Sequence, residues 1–157
     1  MAAVAEARRA DALEIYLPVK SGGEVNLAAS FSVSQARLPA RSGSGGSSSK
    51  TSDPAEVAVQ LLAGDSATSS SEVDLSTGEV DGAIAVRRER VAPADSKRGV
   101  ELASRRVEYL LAVPADPSRW LVAAFSTIGA GSPRDELADA MVEWFDALMT
   151  TFRWSWA

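Results

Sequence analysis

Between positions 87 and 106 the chain gathers Arg87, Arg88, Arg90, Lys97, Arg98, Arg105 and Arg106, its one marked concentration of like charge. Antiparallel pairing of the two halves of this segment draws many of them together. A basic patch opposite an acidic helix makes a dipolar molecule, which steers an acidic protein partner. The plainer alternative is a solvated strand face that Glu89 and Glu101 compensate in part. The aromatic residues offer a second kind of chemistry. Trp144, Trp154 and Trp156 fall near the C-terminus, and a terminal indole pair serves either as edge packing or as an interface anchor.

Other constellations carry less. Gly43-Ser44-Gly45-Gly46 followed by Lys50-Thr51 has the outline of a phosphate loop. Ser49 and Ser44, however, stand where that loop needs glycine for close backbone approach. Asp135/Asp139 and Asp139/Glu143 are spaced one helical turn apart, but oxygen-only cation sites need ligands from several elements. Histidine and cysteine are both absent, which excludes imidazole triads, imidazole-bound zinc or iron, thiolate nucleophiles and disulfides. Carboxylates alone can run a glycosidase, yet the residue inventory favours a protein that is not an enzyme, with no metal and no cofactor.

The elements that must position these groups can be read from composition and period. A chain of 157 residues with 46% hydrophobic and 24% charged residues fits one packed domain. A net charge of −5 argues against nucleic acid as a partner. Residues 1–11 mix alanine with charge and lack the apolar core of a signal peptide, so a flexible segment and a cytoplasmic protein are expected. No apolar run reaches spanning length, so no membrane insertion is expected.

Leu13–Leu17, stopped by Pro18, reads as a first strand. Phe31 and Val33 alternating with Ser30, Ser32 and Ser34 read as a second. The Ser/Gly run at 41–52 reads as a disordered loop. Asp53-Pro54-Ala55-Glu56 opens a short helix near 53–63, with Val57, Ala58, Leu61 and Leu62 on one face. A hairpin follows, its turn placed at Thr77-Gly78 and its second strand at Ala83–Val91. Val107, Tyr109, Leu111 and Val113 share one strand face, and Trp120–Phe125 is apolar on both faces, as a central covered strand is. Ser132-Pro133-Arg134-Asp135 caps a long last helix whose apolar stripe is read as Leu137, Met141, Trp144, Phe145, Leu148 and Phe152. Asp135, Glu136, Asp139, Glu143 and Asp146 are read as its wet side. The predicted fold is α+β: an antiparallel sheet of about six strands, covered by the C-terminal helix and the shorter one, in a single domain over 12–157.

This order of elements resembles the PsbP-like fold. The stretches that carry the resemblance are Arg106-Val-Glu-Tyr-Leu-Leu-Ala-Val-Pro, Trp120-Leu-Val-Ala-Ala-Phe-Ser-Thr, and the helix from Glu136 to Trp154. They look like uncharacterised actinobacterial proteins of that fold, which also includes the LpqN lipoproteins. Photosystem subunits, a Ran-binding protein and secretion-effector chaperones use the fold, so the resemblance implies protein binding more often than catalysis.

The expected function is a non-enzymatic protein-binding module, adaptor or chaperone-like, acting as a monomer or weak homodimer on another protein. Arg87, Arg88, Arg90, Arg105, Arg106, Trp154 and Trp156 are its candidate contact residues. The alternative is a small-ligand domain with a pocket between sheet and helix lined by Trp120, Phe125, Trp144 and Phe145.

Overall fold

The computed structural model describes residues 12–17, 28–37, 73–114, 116 and 118–155. Six strands and one α-helix lie within them: β1 (Ala12–Tyr16), β2 (Ala29–Arg37), β3 (Val73–Val80), β4 (Ala83–Ala92), β5 (Ser104–Ala112), β6 (Arg119–Thr127) and α1 (Glu136–Thr150). The strands form one antiparallel sheet in the order β1-β2-β6-β5-β4-β3. The α+β architecture, the strand number and the long C-terminal helix match the sequence expectation. The shorter helix at 53–63, the loop at 41–52, the segment 1–11 and Trp156 lie outside the described residues. No helix among the described residues is long and apolar enough to cross a membrane.

β6 sits at the middle of the sheet because it is apolar on both faces, between β2 and β5. Strand alternation sends Ala123 and Phe125 to one face, where they pack with Ala85, Val107 and Leu111 beneath Val142, Phe145 and Met149 of α1. It sends Trp120 to the other face, where Val86 and Leu110 join it in a second buried cluster.

The hairpin turn differs from expectation. Thr77 and Gly78 pair with Val86 and Ala85 inside the β3–β4 ladder, and the chain reverses at Asp81-Gly82. Asp81 (φ 50°) and Gly82 (φ 74°) both take the left-handed region. A two-residue hairpin loop demands this, and Asp-Gly tolerates it where β-branched Thr77 would not.

α1 is fastened at its start by Asp135. The carboxylate accepts from Ala138 N (2.7 Å) in the cap position, and from Ala130 N (2.8 Å) and Ser132 N (3.3 Å) in the preceding loop. These amides hold its pKa below the ordinary carboxylate value, the Ala138 bond contributing most. Gly129 (φ 59°) makes the arrangement possible, since a Cβ there would collide with the Asp135 carboxylate.

The buried face of the helix is Ala138, Val142, Phe145 and Met149, whereas the expected stripe was Leu137, Met141, Trp144, Phe145, Leu148 and Phe152. At 100° per residue the two differ by a rotation of roughly 80°. Trp144 is 57% exposed and Leu148 37%, while two acids expected in water, Asp139 and Asp146, turn towards the sheet. The cause is the charge that β4 and β5 carry beneath the helix. A partly buried guanidinium left unpaired costs several kcal/mol, on the order of 3–5. Half-wetting a large apolar side chain forfeits about 1–2 kcal/mol. The helix therefore settles where its acids meet the arginines.

Candidate protein-interaction surface

The two flanks of α1 are built differently. On the β4/β5 side, Asp146 takes a two-pronged contact from Arg87, Nε to Oδ1 at 3.0 Å and Nη2 to Oδ2 at 2.9 Å, and its Oδ1 also accepts from the Tyr109 hydroxyl at 2.8 Å. Arg87 Nη2 donates to Glu89 at 2.6 Å, Arg105 Nε donates to the other oxygen of Glu89 at 2.6 Å, and Arg105 Nη1 pairs with Asp139. The result is one unbroken chain of alternating charge, Asp146–Arg87–Glu89–Arg105–Asp139. Burial opposes the charged form of Arg87, but the hydrogen bonds to Asp146 and Glu89 outweigh it and raise its pKa. Arg105 is raised by the same balance, with Asp139 and Glu89 as its acceptors. Burial first, and then the bond to Asp146, push the Tyr109 hydroxyl up to about 12. Beyond Arg105, a cleft of about 550 Å³ opens between this network, Asp74 and Arg134.

The candidate arginines do not form one patch. Alternation puts Arg87 and Arg105 under α1 and sends Arg88, Arg90 and Arg106 to the opposite face of the sheet. There Arg88 Nε donates to Glu108 at 2.6 Å, Arg90 reaches the same carboxylate at 3.9 Å, and Arg106 Nε donates to Ser104 at 3.4 Å. None of the five is exposed, and Arg88 keeps only 3% of its surface. Residue parity, 87 and 105 against 88, 90 and 106, was the signal that could have divided them from sequence.

Trp154 is half-buried at the margin of the core. Its ring meets Phe152 edge-on at 5.1 Å, and its backbone N–H donates to Asp81 at 2.8 Å. Of the four candidate pocket residues, Phe125, Trp144 and Phe145 come together and Trp120 does not. Trp120 belongs to the other side of the sheet, and the rings of Phe125 and Phe145 stack at 5.1 Å, so side chains fill the space between sheet and helix at that point.

The remaining member of that set, Trp144, forms a surface of another kind. Tyr16, Phe31 and Phe125 are register neighbours across β1, β2 and β6. Tyr16 stacks on Phe31 at 5.3 Å, Phe31 meets Phe145 at 5.5 Å, and Trp144 lies edge-on to Phe125 at 6.5 Å. This aromatic row begins in the core and reaches solvent at both ends: Tyr16 is 54% exposed, close to the value for Trp144, with Leu17 and Leu148 also exposed. The sequence reading placed Leu148 in the covered stripe of the last helix and gave Tyr16 and Leu17 only a place in the first strand, so it missed all three as surface residues.

No family model and no curated protein matches this chain. The functional reading therefore rests on the side chains described above.

Proposed function

We propose that this protein is a non-enzymatic protein-binding module, adaptor- or chaperone-like, which receives an apolar segment of another protein along the β2-facing flank of α1. The observation that carries this reading is Trp144, more than half exposed at the centre of the last helix with Leu148 one turn further on. Clustered exposed aromatic and aliphatic side chains mark association sites, and tryptophan is the residue most enriched among binding hot spots. The opposite flank supports the same reading by elimination, since its charged groups are engaged with one another. Protein binding is also what the PsbP-like resemblance implies.

The test is retention of native partners on the immobilised chain, comparing the unaltered protein with Trp144→Ala and with Asp139→Asn as a control on the other flank. Loss of the retained protein with Trp144→Ala alone is the expected result. Equal retention by all three proteins would discard the reading.

A further inference from the structure

The sheet has two edges, and they are finished differently. β1 has five residues and an irregular register between Ala12 and Glu14, a bulge of the kind that blunts an edge against further pairing. β3 has eight residues in unbroken register with β4 and contains no Lys, Arg or Pro. Every residue from Asp74 to Glu79 is exposed, and no described strand pairs with its outer side. Among the described residues its protection is limited to two charged side chains, Asp74 and Glu79, with no bulge, proline, lysine or covering element.

The turn fixes which backbone groups face outward. A two-residue loop with both φ values positive makes Val80 and Ala83 a hydrogen-bonded pair. Alternation then commits Gly78, Ser76 and Asp74 to β4, and leaves the N–H and C=O of Glu79, Thr77, Leu75 and Val73 aimed away from the sheet.

We infer that this edge is a homodimerisation strand, to which a second copy of the chain adds its own β3 antiparallel about a twofold axis at Ser76. That register is the one in which every outward group on each copy meets an outward group on the other. Thr77 pairs with Leu75 of the second copy, and Val73 pairs with its Glu79. On the helix-facing side Ser76 meets its own equivalent, and Asp74 lies across from Gly78, around whose Cβ position there is nothing within 4 Å. No carboxylate faces a carboxylate, so the strand is complementary to itself in charge and in bulk. Leu75, 40% exposed in one copy, gains the Thr77 methyl group as a neighbour. The product is a continuous sheet with six strands from each copy. β3 and β1 are opposite edges, so the aromatic row stays open on both copies. An edge contact of this size gives a weak dimer, with a dissociation constant on the order of 10 μM or more.

The absence of cysteine makes a direct test available. Ser76 across from its own equivalent is a non-hydrogen-bonded pair, with Cα atoms about 4.5 Å apart and within disulfide range. Under mild oxidation Ser76→Cys should couple into a covalent dimer. Gly78→Cys, exposed on the same face but displaced from its equivalent, should stay monomeric. In sedimentation velocity the unaltered chain should associate with rising concentration. Thr77→Pro, which removes only an outward N–H and leaves the β3–β4 ladder intact, should weaken that association at least about tenfold without changing the melting temperature. Trp144→Ala should leave it unchanged. The inference is overturned by a chain that stays monomeric at concentrations on the order of 1 mM, by coupling of Gly78→Cys as readily as Ser76→Cys, by a dimer indifferent to Thr77→Pro, or by a dimer that Trp144→Ala abolishes. None of these outcomes depends on the proposed partner binding at Trp144.

Discussion

The two long sides of α1 spend the same helix on opposite purposes. Towards β4 and β5, Asp139 and Asp146 lie over arginines, and every charged group between them has a partner within the molecule. Towards β2, Trp144 and Leu148 stand over the aromatic row with much of their surface in water. Internal pairing closes the first flank, and its absence leaves the second available. Polar side chains here are thus the structural element and apolar ones the accessible element, the reverse of the usual division.

Breaking the charged flank at its centre should have the largest effect on stability. Asp146→Ala removes the acceptor of both Arg87 and Tyr109, leaving a partly buried guanidinium short of a counter-charge. A loss of about 2–3 kcal/mol is expected, measured by urea denaturation. Tyr109→Phe deletes one hydrogen bond to the same carboxylate and should cost about 1 kcal/mol.

The same tyrosine also shapes the alkaline limb. Its pKa rises in the fold from 10.0 to about 12, so the folded protein holds this proton more tightly than the unfolded chain. Stability from this source is complete below pH 10 and declines between about 10 and 12. Tyr109→Phe should remove that part of the decline, seen as a flatter dependence of unfolding free energy on pH.

On the apolar flank the signature should invert. Trp144→Ala is expected to lower stability by less than about 1 kcal/mol, because over half of the ring is already wet, while weakening partner binding at least about tenfold. The smallest expected change is Asp139→Asn, under about 0.5 kcal/mol, since that carboxylate is 57% exposed. Equal losses for Asp139→Asn and Asp146→Ala would remove the gradation along the charged flank. A greater loss for Trp144→Ala than for Asp146→Ala would reverse the comparison itself.

Strands were the most legible part of the fold in sequence, because alternation in β2 and β5 and the doubly apolar run in β6 are local signals. The β3–β4 turn was misplaced by four residues, since Thr77-Gly78 has a turn composition but Asp81-Gly82 has the torsion angles that a two-residue loop requires. The phase of α1 was misread for a non-local reason. Periodicity weighs side chains by size, and it sees neither Arg87 nor Tyr109 waiting beneath the helix. The division of the arginines, in contrast, was within reach: residues 87 and 88 cannot share a face of one strand. Trp120 and Phe125, five positions apart, cannot either.

The loop before α1 acts on the helix as a footing acts on a post. One carboxylate, seated above a position that tolerates no Cβ, ties the amide at Ala138 to those at Ala130 and Ser132. Those bonds fix where the first turn starts relative to the loop that leaves β6. Two and three turns downstream, the arginines on β4 and β5 choose which side chains meet water, acting on a helix whose foot is pinned at this loop.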